Sequence, residues 1–193
     1  MTFRLLHVCT GNICRSPMAE RLTVAGLAAR SVADGFVVES AGTWGLSGSP
    51  MDPASQRTLA AYGLDGSDFR ARQLTGYHVD EADLVLCATR EHRAAAVTLS
   101  PDAAARTFTL REFARLTATV APDDLPAGDA PTRARALVAL AASRRGWAPP
   151  ADPRDDDLAD PYRAAASAFH ACAELVEHCL RRPLDLVAGP AAA

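Results

Sequence analysis

Residues 82–89, ADLVLCAT, carry an apolar side chain at nearly every position instead of every second one. A strand with one wet face alternates polar and apolar residues, whereas a strand covered on both faces does not. Such a run belongs inside a parallel sheet with helices on either side. FRLLHV at 3–8 reads the same way, GFVVES at 35–40 is a further strand, and RTFTL at 106–110 is a weaker fourth.

Helix signals lie between and after these runs. Ser16 and Pro17 stand as N-cap and first helical residue of a helix reaching about Ala29, and Asp52 and Pro53 repeat the pair before a helix that Gly63 stops. Residues 90–100 read as a helix ending before Pro101. Residues 132–146 are amphipathic, and 162–182 form the clearest helix, with Pro183 as its stop. Residues 41–52, 117–131 and 147–161 are irregular, rich in Gly, Ser, Pro and Asp. The order of strands and helices implies one α/β domain over residues 1–187: a doubly wound, four-stranded parallel sheet flanked by helices. Residues 188–193 read as a disordered tail.

Composition narrows the function. The 193 residues are 49% hydrophobic, enough for one core, and the formal net charge is −3 with no basic stripe, so no nucleic-acid partner is expected. No stretch approaches the ~20 apolar residues of a membrane span, so no membrane partner is expected. The first residues do not read as an export signal, and five irregularly spaced cysteines read as free thiols. The expected setting is cytoplasmic.

The chemistry is concentrated where the first strand ends, in VCTGNICRSPMAE at 8–20. Open sheets of this kind bind ligands beyond the carboxyl ends of their strands. A helix N-terminus there offers unpaired N–H groups and partial positive charge, and a glycine-containing loop before it curls its own N–H groups around an anion. Gly11 permits close backbone approach and Asn12 tolerates a left-handed conformation. Arg15 adds a planar fork matched to two phosphate oxygens. A cysteine among such donors is in the setting where thiols become thiolates, so Cys9 and Arg15, with five residues between them, read as a nucleophile and its clamp on phosphorus.

This stretch resembles the low-molecular-weight protein tyrosine phosphatases, and SAGT at 40–43, ARQL at 71–74 and the Asp-Pro-aromatic at 160–162 resemble further anchors of that family. The resemblance implies a phosphomonoesterase working on phosphotyrosine in proteins through a phosphocysteine on Cys9. It implies that Arg15 holds the phosphoryl oxygens, that Ser16 donates a hydrogen bond to the Cys9 sulfur, and that Asn12, tied to Ser40, holds the loop in shape. Asp160 would protonate the leaving phenol oxygen and later take a proton from water. Thr10, Gly11, Asn12, Ile13 and Cys14 complete the phosphate loop, with Trp44 and Tyr162 as walls for an aromatic ring. Ile13 resembles tyrosine-specific members, where a relative acting on phosphoarginine carries threonine. No metal or cofactor is implied. Two departures stand out: Phe69 occupies a position where many members carry a histidine that supports Asn12 and Ser40, and residues from about 116 to 157 are longer than usual.

The remaining residues admit plainer roles. Cys14 is either packing or a redox partner whose disulfide with Cys9 protects the nucleophile. Cys87, Cys172 and Cys179 read as core, as does His7. Asp160, before Pro161, also reads as a helix N-cap, and the preceding Asp155, Asp156 and Asp157 supply negative charge that disfavours ionisation of a neighbouring carboxyl. Other functions open to such a loop are phosphoarginine or small-molecule phosphatase, arsenate reductase, and non-catalytic phosphate binding. The reductase needs two more cysteines close together, and Cys87 has no near neighbour in sequence.

Overall fold

A computed structural model describes residues 2–147, 149–150 and 152–189. Four parallel strands, β1 (Phe3–Cys9), β2 (Phe36–Gly42), β3 (Leu84–Cys87) and β4 (Thr107–Thr109), form one sheet in the order β2-β1-β3-β4. Phe3 pairs with Phe36, Leu5 with Leu84, and Val85 with Thr107. The chain leaves β1 to one side for β2 and returns to the other for β3. The carboxyl ends of β1 and β3 therefore flank the crevice where such sheets bind ligands.

The period-2 geometry of the strands sorts the core. Phe3, Leu5 and Cys9 of β1, with Leu84 and Leu86 of β3, face a large apolar cluster; Leu6 and Val8, with Val85 and Cys87, face a smaller one. The large cluster is closed by α1 (Arg15–Ala28), α5 (Leu110–Thr117), α6 (Ala130–Ser143) and α7 (Ala166–Ala188), and α2 (Pro53–Ala61) packs against α7. The short α3 (Gly76–Asp80) and α4 (Arg90–Leu99) cover the other face. Burial on both faces is why β3 reads as an unbroken apolar run. Cys87, Cys172 and Cys179 are buried in these clusters, and all five cysteines are free.

Several boundaries differ from the sequence reading. Cys14, not Ser16, is the N-cap of α1, and the Ser16 hydroxyl is engaged by Cys9 and Asn12 instead. Pro17 still falls in the first turn, where a missing N–H costs no helix bond. Helix α5 follows β4 directly, opened by a capping box between Thr109 and Glu112. Helix α7 begins four residues after Tyr162 and runs through Pro183 to Ala188, so Asp160 is not its cap and Ala188 is not tail. Apolar packing of Leu180, Leu184 and Val187 on both sides of Pro183 outweighs the lost helix bond. Residues 190–193 of the expected tail lie outside the described residues.

His7 sits in the middle of β1, fully buried, its Nε2 2.9 Å from Thr23 Oγ1. Burial pushes its pKa from 6.5 down to about 3. The folded protein thus holds His7 neutral at pH values where the unfolded chain binds a proton. The resulting stability is fully present above pH 6.5 and is lost as pH falls toward 3, at up to about 1.4 kcal/mol per pH unit. Denaturant titrations between pH 7 and 4 should show a steeper loss of stability for the wild type than for His7→Gln. Parallel pH curves would contradict this assignment.

Candidate active site

The first strand runs straight into the loop from Cys9 to Arg15, and that loop is held from outside by its own carbonyls. Those of Cys9, Thr10 and Gly11 accept from the N–H groups of Thr43, Trp44 and Leu46 at 2.9, 3.0 and 3.1 Å, and that of Ile13 accepts from Asp52 at 2.9 Å. With the carbonyls bound outward, the N–H groups are left to the inside. Among the described residues, none of the main-chain N–H groups from Thr10 to Ser16 finds an acceptor in the protein. A set of convergent N–H donors before a helix N-terminus is an anion cradle.

SAGT and ARQL explain how the loop is gripped. Gly42 lies so close beneath it that a Cβ would come within 2.3 Å of the Thr10 carbonyl oxygen and 2.9 Å of the Asn12 nitrogen. Residues of ARQL bond to Gly42 on both sides, Gly42 N–H to the Arg72 carbonyl (3.0 Å) and Leu74 N–H to the Gly42 carbonyl (2.7 Å).

Asn12 is the pin. It adopts φ 54°, a left-handed conformation that asparagine tolerates better than most residues. Its Oδ1 accepts from the Arg72 N–H at 2.8 Å, which fixes the amide orientation. Its Nδ2 donates to Ser16 Oγ (2.8 Å) and to Ser40 Oγ (2.9 Å). Ser40, so engaged as an acceptor, donates to Glu20 Oε2 at 2.7 Å. Ser16, also an acceptor from Asn12, has its own hydrogen for the Cys9 sulfur 3.0 Å away. The chain of donors therefore runs toward the sulfur, where it stabilises a thiolate.

Glu20 was absent from the sequence reading, and it supplies what the missing histidine leaves open. Phe69 is buried in the large core cluster, while Glu20, one helical turn beyond Ser16, accepts the Ser40 proton. Burial raises the Glu20 pKa, and the Ser40 hydrogen bond pulls it back. The i, i+4 spacing of Ser16 and Glu20 on one helix face was the available signal.

Arg15 is 5% exposed. Its Nη1 donates to the Leu158 carbonyl (3.1 Å), and its Nη2 to Thr10 Oγ1 (3.2 Å) and Asp160 Oδ2 (2.6 Å). Its Nε is buried without a partner among the described residues, which a bound oxyanion would satisfy. Asp160 arrives from 145 positions downstream. Leu158 N–H bonds to the Ala88 carbonyl at 2.7 Å, just past the end of β3, and the Arg111 guanidinium holds the Asp157 carbonyl at 3.1 Å. The acidic run before it does not face Asp160. Asp157 pairs with Arg90, Asp156 with Arg115, and Asp155 accepts from the Asp152 N–H. Asp160 itself accepts from the Tyr162 N–H at 3.2 Å.

Cys9, Thr10, Gly11, Ile13, Cys14, Arg15, Trp44, Leu46, Asp160 and Tyr162 line one cleft of about 220 Å³. Trp44 is 79% exposed and Tyr162 45%, standing at its mouth, and Arg163 lies over the Tyr162 ring at 5.2 Å. Asn12, Ser16 and Ser40 lie beneath the cleft as a buried support. Cys14 lies beside Ser55, and burial pushes its thiol up to about 12, against about 12 for Cys172 and about 11 for Cys179. Among the described residues no three His, Cys, Asp or Glu side chains gather as a metal site, and no helix is long and apolar enough to cross a membrane.

Known proteins resemble this chain in sequence and fold. Over 82 residues the chain is 49% identical to a probable low molecular weight protein-tyrosine-phosphatase, EpsP, of Ralstonia solanacearum, covering 42% of this chain and 52% of that one. The match thus spans about half the length of that relative. It is 32% identical over 178 residues to a low molecular weight protein-tyrosine-phosphatase of Streptomyces coelicolor, covering 92% and 88%. It is also 38% identical over 113 residues to a protein-arginine-phosphatase of Geobacillus stearothermophilus, covering 58% and 72%. Among solved structures, a low molecular weight protein tyrosine phosphatase from T. tengcongensis superimposes with TM-score 0.67 at 27% identity over 94% of this chain and 97% of that one. Residues 4–126, more than half the chain, match the low molecular weight phosphotyrosine protein phosphatase family, and the chain belongs to that family.

Proposed function

We propose that this protein hydrolyses phosphotyrosine in proteins in two steps through a phosphocysteine on Cys9. The observation that carries the reading is the cradle: N–H groups from Thr10 to Ser16 without acceptors, above which sit the Cys9 sulfur and the unpartnered Arg15 Nε. In the first step the Cys9 thiolate attacks phosphorus. The S–P bond forms, the P–O bond to the phenol breaks, and Asp160 gives its proton to the departing oxygen. In the second step water attacks phosphorus, Asp160 takes the water's proton, the S–P bond breaks, and the Ser16 O–H eases departure of the sulfur. The products are tyrosine and inorganic phosphate. The positive charge that stabilises the negative equatorial oxygens comes from Arg15 and the N–H groups.

Asp160 rests on the Arg15 fork at 2.6 Å, so a phosphoryl group entering the cradle competes with it for the guanidinium. That exchange turns the carboxyl from the clamp to the leaving oxygen. Trp44, Tyr162, Leu46 and Ile13 give the cleft flat and apolar walls that suit a phenol ring. Ile13, which resembles the choice of tyrosine-specific members, tilts against the second reading suggested by the arginine phosphatase relative. Arsenate reduction fits less well: beyond Cys9 and Cys14, the thiols of Cys87, Cys172 and Cys179 are buried and raised in pKa. Cys14 shares the cleft with Cys9, so we include its protective disulfide in the proposal.

Initial rates on phosphotyrosine, phosphoserine and phosphoarginine peptides should favour phosphotyrosine, and Cys9→Ser should lower the rate by roughly a thousandfold or more. Turnover surviving in Cys9→Ser would remove the mechanism, and a preference for phosphoarginine would remove the substrate. Asp160→Asn should slow phenyl phosphate by roughly 10²–10⁴-fold and p-nitrophenyl phosphate much less, because the more acidic phenol leaves without a proton. Equal losses on both would contradict the role of Asp160. After peroxide treatment, thiol reductant should restore the wild type but not Cys14→Ser; equal recovery would make Cys14 a packing residue only.

A further inference from the structure

The mechanism uses the main chain of Thr10 and leaves its side chain without a task. That side chain lines the cleft, and its hydroxyl receives the Arg15 Nη2 at 3.2 Å. On its other side, 2.9 Å away, lies Nε2 of His92, 82 positions along the chain. Resting on the phosphate-site reading above, we propose that His92 is a positioning residue which aims the Thr10 hydroxyl into the cradle and, through Thr10, holds the Arg15 guanidinium in place.

The hydrogen atoms can be assigned by counting. Thr89, the N-cap of α4, accepts from the His92 main-chain N–H at 3.3 Å, so its own hydroxyl hydrogen is available. His92 Nδ1, 2.8 Å away, is placed to accept it. In the tautomer we propose, Nδ1 accepts from Thr89 and Nε2 carries the hydrogen. Thr10 Oγ1 then accepts twice, from His92 Nε2–H and from Arg15 Nη2–H. Its own hydrogen is directed into the cleft, where it adds one more donor for a phosphoryl oxygen.

The surroundings keep the ring in that form. His92 is 7% exposed, and burial, reinforced by the neighbouring Arg15 charge, pulls its pKa from 6.5 down to about 4. A neutral imidazole can stand next to the clamp without repelling it. A cap for α4 requires only the Thr89 contact. The second contact, to the loop that carries the nucleophile, is what a purely structural histidine would not need.

The test reads anion binding instead of turnover, so an enzyme inactive on phosphotyrosine peptides still decides it. Orthovanadate binding to the intact protein is measured by calorimetry, beside melting temperature, for five variants. Thr10→Val and His92→Ala should each weaken binding by about tenfold, and the double variant should be no weaker than either. His92→Asn keeps the contact to Thr89 but falls short of Thr10, so it should melt like the wild type and bind weakly. His92→Gln, whose amide reaches Thr10, should recover most of the affinity. Additive losses in the double variant, wild-type affinity in Thr10→Val, or wild-type affinity in His92→Asn would each overturn the proposal.

Discussion

The site depends on one side-chain amide. Asn12 takes the Arg72 N–H on its oxygen and gives its two hydrogens to Ser16 and Ser40. The main-chain donor settles which way the amide faces, and the amide then settles the direction of every hydroxyl it touches. Ser40 is left to donate to Glu20 and Ser16 to donate to Cys9. With Asn12 reversed, Ser16 and Ser40 would have to donate to its oxygen, and the sulfur would lose its hydrogen. A buried polar group of this kind costs stability if any bond is missing, and here all the bonds are made.

Fold topology supplies the rest. The order β2-β1-β3-β4 opens a crevice between the ends of β1 and β3. Cys9, the proposed nucleophile, ends β1, and Asp160, the proposed general acid, is delivered past β3 by a segment pinned at Ala88, Arg90, Arg111 and Arg115. That segment thus carries Asp160 to its place, and Asp156 and Asp157 before it serve as anchors to arginines.

Strands β1 and β3 were legible in the sequence because burial on both faces leaves a nearly continuous apolar run. The loop from Cys9 to Arg15 stood out because a thiol, an asparagine able to turn left-handed and an arginine at that spacing have few other uses. Three features were not legible in the local pattern. Ser16 looks like a helix cap there, and only the family resemblance implied its bond to the Cys9 sulfur. Pro183 looks like a stop, and the apolar contacts that carry α7 past it come from distant elements. Glu20 and His92 act through hydroxyls on other segments, Ser40 and Thr10; the i, i+4 spacing from Ser16 marks only the helix face of Glu20, and no local pattern marks His92.

The central claim is a covalent phosphocysteine, and rapid acid quenching during turnover of a phosphotyrosine peptide tests it most directly. Peptide mass spectrometry of the quenched protein should find one phosphoryl group on Cys9, formed as fast as the phenol is released and absent in Cys9→Ser. Phenol release with no phosphoprotein at any quench time, or with the phosphoryl group on a residue other than Cys9, would contradict the account.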